Sequence, residues 1–297
     1  MNQSSLSSFV RLSNPGLLAL GTLCYSIGPA VTDYLGLPVD RARLVLGWLV
    51  VTAVLLVGQY LHIHFSPPSV SVEGAQADAA RPERVTRHLP LYSAIIVAGL
   101  LAILLSGLAV QRAAPLGSWL LLGLGIVLAF TYGVPPLRLA TSGYGELAVS
   151  IGLAGLVPAF AFALQTGELH RLVWLATAPL IALTFAWLIT RRLPDYAGDL
   201  LRQRRSMLMR VGWETGMWLH DGALLAAAAL MAAGIAGGLP SRIGIGGAIV
   251  LPLAAAQIWQ MQRIRRGYPP HWRSLASMAT ALLVLTAYFI LTGFLLS

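Results

Sequence analysis

Nine stretches of the chain stay apolar for about the 20 residues a helix needs to cross roughly 30 Å of hydrocarbon. They run 15–36, 44–64, 89–110, 116–133, 145–165, 172–191, 217–237, 241–261 and 275–295. Most connections between them are punctuated by Pro, Gly or charge, as in Leu37-Pro38-Val39-Asp40 and Gly237-Gly238-Leu239-Pro240. Tyr132-Gly133-Val134-Pro135-Pro136 is the sharpest stop, because two prolines cannot continue a helix. The runs are continuous, which argues against the alternating ten-residue segments of a transmembrane β-barrel. Only 10% of the 297 residues are charged and 57% are hydrophobic, too little polar surface for a soluble domain of this size. The same apolar content excludes disorder. The expected fold class is an all-α polytopic membrane bundle of about nine transmembrane helices. Residues 1–297 form a single integral membrane domain.

The formal charge is +9, and every basic residue is an arginine. Taking the loops alternately, 15 of the 20 arginines fall on one side, mainly within 81–87, 191–210 and 263–273. Arg41, Arg43, Arg112, Arg171 and Arg242 fall on the other. The positive-inside rule then puts the N-terminus in the cytoplasm and the C-terminus outside, in a cell (inner or plasma) membrane. That asymmetry accounts for the basic balance without any nucleic acid. The first apolar run lacks a short h-region with a small-x-small site and reads as a retained span. Cys24 is the single cysteine and allows no internal disulfide. Two loops on the basic side, about 65–88 and 192–216, are longer than topology requires, so chemistry is expected on the cytoplasmic face. The span centres contain no Asp, Glu or Arg, which argues against a proton-coupled transporter or channel.

The sharpest constellation is Asp195-Tyr196-Ala197-Gly198-Asp199, followed by Arg202, Arg204 and Arg205. In a helix the two carboxylates share a face about 6 Å apart along the axis. Such a pair suits a hard cation such as Mg²⁺ that keeps waters and bridges to phosphate oxygens. Flanking guanidinium groups would clamp a diphosphate bidentately. The competing reading is a solvated loop helix with an Asp199–Arg202 pair.

This stretch resembles the second Asp-rich motif of the UbiA-type intramembrane prenyltransferases. Asp195, Gly198, Asp199, Arg204, Arg205, Ser206 and Arg210-Val211-Gly212 stand in its register, with Gln203 replacing a glycine. A second stretch runs Tyr132-Gly133-Val134-Pro135-Pro136-Leu137-Arg138-Leu139, then Gly143-Tyr144-Gly145-Glu146-Leu147, and closes with Leu164-Gln165-Thr166-Gly167. It looks most like the branch that prenylates naphthoate quinone precursors. Nine spans with long cytoplasmic loops after the second and sixth is also that family's layout. The family's first Asp-rich motif should sit near Gln59, but Gln59-Tyr60-Leu61-His62-Ile63-His64-Phe65 holds no carboxylate. His62 and His64 cannot replace it together, since residues two apart on a helix point about 200° apart. Gln59, His62, Glu73 and Asp78 are candidate remnants; otherwise His62 anchors a helix end and the two acids solvate the loop.

The resemblance implies a cavity open to the cytoplasmic side and Mg²⁺-dependent transfer of a polyprenyl group from a polyprenyl diphosphate to an aromatic, quinone-precursor-like acceptor. Asp195 and Asp199 would carry the metal, with Arg138, Arg202 and Arg205 on the diphosphate. The prenyl tail would lie between helices, against membrane lipid. Tyr132, Tyr144 and Tyr196 lie near the helix mouths, where they would shield an allylic cation through their π faces or simply form an interfacial belt. Glu146 reads as a charge favouring a helix N-terminus. The alternative is a diverged relative that binds an isoprenoid without transferring it, or cyclises it; a transporter or scaffold is disfavoured by the uncharged span centres.

Overall fold

A computed structural model describes residues 13–66, 83–110, 115–201 and 206–297, without the side chains of 83–87, 110 and 201. Among these residues nine membrane-length helices form the bundle. They are α1 (Pro15–Tyr34), α2 (Arg41–Phe65), α3 (Glu83–Val110), α4 (Leu116–Gly133), a span built from α6 (Gly145–Ile151) and α7 (Val157–Thr166), α8 (Arg171–Arg192), α11 (Trp213–Ala236), α12 (Ser241–Arg265) and α13 (Trp272–Leu295). Short helices α5 (Leu139–Ser142), α9 (Tyr196–Leu201) and α10 (Met207–Val211) decorate one end. The order is all-helical, as the apolar runs require.

Local signals set the helix limits. Pro15 opens α1, where a missing N–H costs nothing. Asp40 caps α2, its carboxylate accepting from Ala42 N at 2.8 Å and Arg43 N at 3.2 Å. The fifth span is not one regular helix: a π-turn over Gly152–Leu156 joins α6 to α7. Such wide turns frequently mark functional positions, and this one faces the slot described below.

Cross-bundle contacts identify the two ends. Asp40 and Gln165 exchange hydrogen bonds of 2.9 and 3.2 Å at one end, where Tyr34 also meets Phe294 edge-on. At the other end Ser13 bonds Tyr60, and His62 packs on Tyr132. Glu146 there meets Arg192, and Trp213 packs on Trp272. This second end carries Asp195 and Asp199.

Two glycines allow close helix crossings. A Cβ on Gly28 would come within 2.5 Å of the Phe162 backbone nitrogen, so α1 and α7 touch main chain to main chain. A Cβ on Gly133 would stand 2.6 Å from both His62 N and Cα. Gly133 thus lets the last turn of α4 lie directly against the last turn of α2. That crossing fixes the spacing of Tyr132 and His62.

Candidate active site

An apolar slot runs between α2, α4 and the α6–α7 span, with Val51, Leu122, Leu153 and Phe160 along its walls and Gln59 and Tyr132 among its few polar residues. Its chemistry suits a hydrocarbon chain. From the level of Val51 to that of Gln59 is eight residues of α2, about 12 Å of helix.

At its Gln59–Tyr132 end the slot meets a cluster that sequence reasoning did not assemble. Glu146 is buried at 5% exposure, one turn before the slot-lining Val149. Its Oε1 lies 3.6 Å from the Nε of Arg192, the last residue of α8. Arg192 also stands near the Tyr132 hydroxyl. Tyr132 in turn packs on His62 with ring centroids 5.0 Å apart. Glu146 Oε2 is buried without a hydrogen-bond partner. Glu146 therefore does more than favour a helix N-terminus in solvent: it is half of a buried ion pair. Its partner Arg192 counted in the sequence only as topological charge. Nothing local in the sequence links two residues 46 positions apart.

The remaining expected site residues fall into three groups. Asp195 ends a 3-10 turn (Leu193–Asp195) and is exposed, whereas Asp199, one turn later on α9, is 5% exposed. The two stand one helical turn apart and present two hard oxygen donors, a set that fits a divalent cation completed by water and phosphate. Among the described residues no group of three or more His, Cys, Asp or Glu side chains is placed to hold a metal. By itself the carboxylate pair falls short of a full ligand set. Arg202, Arg205, Glu73 and Asp78 lie outside the described residues.

Arg138 follows the prolyl turn with left-handed backbone, φ 40° and ψ 57°. A non-glycine residue held there costs of order 1–3 kcal/mol, and such outliers cluster at functional sites. Its Nε is buried without a partner. No direct contact joins Arg138 to the carboxylates. Tyr144 lies under Arg210, whose guanidinium carbon is 4.6 Å from the ring centre. Tyr196 packs on Trp213 at 5.3 Å. His62 and His64 diverge as helix geometry requires, His64 turning to Phe65 and His88.

A second buried polar group lies deeper at the same end. His220 Nδ1 bonds Asp221 Oδ1 at 3.0 Å, and Asp221 Oδ2 accepts from Arg265. Gln257 Nε2 reaches His220 Nε2 at 3.1 Å and Thr190 Oγ1 at 3.5 Å. With the Gln257 amide donating to Nε2, His220 carries its proton on Nδ1 and gives it to Asp221. The indole of Trp218 covers Arg265, 3.9 Å from its guanidinium carbon. Because α11 begins at Trp213, Asp221 lies eight residues inside it, about 12 Å along the helix. A buried carboxylate thus sits within a span, paired with the arginine that ends α12.

The comparisons agree on one fold. The digeranylgeranylglyceryl phosphate synthase structure superimposes with TM-score 0.64 at 16% identity, over 94% of this chain and 92% of that one. An apo UbiA homologue from Aeropyrum pernix K1 gives 0.65 at 17% identity, over 93% and 96%. A UbiA homologue from Archaeoglobus fulgidus bound to GPP and Mg²⁺ gives 0.64 at 13% identity, over 95% and 99%. No curated protein matches the sequence. The sequence profile of the UbiA prenyltransferase family matches residues 74–284, starting beyond the carboxylate-free end of α2. With most of its length matched in this way, the chain belongs to the UbiA prenyltransferase family.

Proposed function

We propose that the protein transfers a polyprenyl group from a polyprenyl diphosphate to an aromatic, quinone-precursor-like acceptor, with Mg²⁺ on Asp195 and Asp199. The observation that supports this reading is the apolar slot ending at Gln59 and Tyr132, with the Glu146–Arg192 pair next to Tyr132 and Asp195 three residues after Arg192 in the chain. A prenyl diphosphate has the same division into hydrocarbon tail and anionic head. The homologue from Archaeoglobus fulgidus bound to GPP and Mg²⁺ lends support by likeness of fold. The arginine asymmetry favours a cytoplasmic mouth in the plasma membrane, with the N-terminus inside.

In this scheme Asp195 and Asp199 would hold Mg²⁺, which would supply charge stabilisation for a diphosphate leaving group. The chain's own residues do the rest. The slot holds the tail and excludes water, and Tyr132 at its mouth presents a π face to the allylic carbon. Asp195 and Asp199 supply the anionic oxygens, while Arg138 and the arginines after Asp199 meet the leaving group's charge. The allylic C–O bond breaks, the acceptor carbon bonds to the allylic carbon, the diphosphate leaves, and the ring proton passes to water or to the departing diphosphate.

A second reading, isoprenoid binding or cyclisation without transfer, is favoured by the lack of any carboxylate between Gln59 and Phe65. One experiment separates the two. Purified protein is incubated with radiolabelled geranyl or longer prenyl diphosphates, Mg²⁺ and a panel of hydroxybenzoates and dihydroxynaphthoates. Prenylated acceptor is the expected product; cyclised hydrocarbon or unchanged donor would displace transfer.

A further inference from the structure

The end of the bundle at which the slot closes carries two chemically unlike sets of groups. The Asp195–Asp199 segment offers anionic oxygens. The wall built by α2, α4 and the end of α8 offers Gln59, His62, Tyr132 and Arg192. Among the described residues its single nearby carboxylate, Glu146, is already paired with Arg192. A hard divalent ion has little to bind on such a wall, since it needs several anionic or carbonyl oxygens. A guanidinium 3.6 Å from Glu146 would also repel it. A phosphate, by contrast, finds donors there. Resting on the prenyl diphosphate reading above, we propose that Arg192, held in place by Glu146, binds one donor phosphate directly, so that the site works with a single divalent ion at Asp195 and Asp199.

Three observations support this assignment. Arg192 is three residues before Asp195 in one chain segment, which places the two at the same end of the bundle. Its side chain is 35% exposed while that of Glu146 is 5%, so the arginine is the member of the pair open to a ligand. Finally, the closest contact to Glu146 uses Nε, which is not the paired terminal nitrogens that grip phosphate oxygens in bidentate fashion. Glu146 then acts as a positioning residue, fixing the guanidinium from behind. Tyr132 steadies it from the α4 side.

The test counts metal ions and measures affinity without turnover. The full-length protein in detergent is titrated with Mn²⁺ in the presence of the unreactive analogue geranyl S-thiolodiphosphate, reading free Mn²⁺ by electron paramagnetic resonance. One Mn²⁺ per protein is expected; two would overturn the proposal. Arg192→Gln should weaken analogue binding roughly tenfold or more, the worth of a charged hydrogen bond, at every Mn²⁺ concentration. Arg192→Lys should recover part of it. Removing Arg192 alone leaves Glu146 buried and unpaired, so Arg192→Gln/Glu146→Gln is the safeguard against misfolding. If the double variant binds the analogue like the unmodified protein, Arg192 is only a counter-ion and the proposal falls. Failure of the unmodified protein to bind any prenyl diphosphate analogue would overturn the functional reading itself, and this proposal with it.

Discussion

The His220–Asp221–Arg265 network and the Glu146–Arg192–Tyr132 cluster lie at the same end of the bundle, and both touch the last turn of α8. Thr190 belongs to the first and Arg192 to the second; two residues apart on a helix, they point about 200° apart. The network is a chain of partners, Thr190 to Gln257 to His220 to Asp221 to Arg265, with Ile189, Leu193, Met217 and Met261 forming an apolar cluster beside it. None of its members lines the slot. The mouth cluster has a long ion pair, a carboxylate oxygen with no partner, and a half-open arginine. Buried polar groups that bond across helices fasten them together, and each one left without a partner costs stability. Neither set is fully satisfied, since Gln257 Oε1 and Arg265 Nη1 of the network also lack partners; what separates the two is place, the network joining α8, α11 and α12 away from the slot and the mouth cluster ending it.

The comparison is broken most directly at Asp221. Asp221→Ala strands Arg265 in a buried position, and removing one partner of such a pair costs about 3–5 kcal/mol. The purified variant should melt far below the parent in detergent or fail to accumulate. Asp221→Leu/Arg265→Met, which removes both charges, should recover much of the loss. A single variant that melts like the parent would show that the network fastens nothing.

Next in size is Asp199→Asn. Removing one of two anionic ligands leaves a hard cation little reason to bind, so donor binding should lose its dependence on Mg²⁺ while thermal stability changes little. Donor binding with and without chelator measures this. Binding by Asp199→Asn that is strong and indifferent to Mg²⁺ would rule out metal-assisted transfer. Gly133→Ala should follow, because its Cβ would press on the His62 backbone at 2.6 Å and drive α4 from α2. Overpacking of this kind costs about 1–3 kcal/mol. A lower melting temperature accompanied by weaker donor affinity is expected, since the same crossing sets the spacing of Tyr132 and His62.

The bundle was legible because a membrane span is a one-dimensional signal: length, apolarity and punctuation all lie in consecutive residues. Asp195 and Asp199 stand out as candidates for the same reason, four residues apart beside an arginine run. Glu146 and Arg192 were not. Each has an adequate local explanation, helix-end charge for one and topology for the other, and only packing of α6 against α8 reveals the pair. Asp221 likewise draws no notice in the sequence, because its partner Arg265 lies 44 positions away. In each case what the sequence lacks is the identity of a partner far along the chain.

The smallest expected effect sharpens the comparison from its other edge. His62 lies at the mouth without being part of the ion pair; its ring packs on Tyr132 at 5.0 Å, tilted by 55°. An aromatic contact of this kind contributes about 0.5–1.5 kcal/mol beyond the area it buries. Imidazole is also a poor ligand for Mg²⁺ beside the oxygen donors of Asp195 and Asp199. His62→Ala should therefore lower the melting temperature slightly and reduce donor affinity by less than about tenfold. Its Mg²⁺ dependence should stay unchanged, because no metal ligand is lost. His62→Phe keeps the ring without the nitrogens and should behave like the parent. A shift in Mg²⁺ requirement in either variant would mean that α2 still contributes to the metal, and the division of the mouth into a metal side and an arginine side would have to be redrawn.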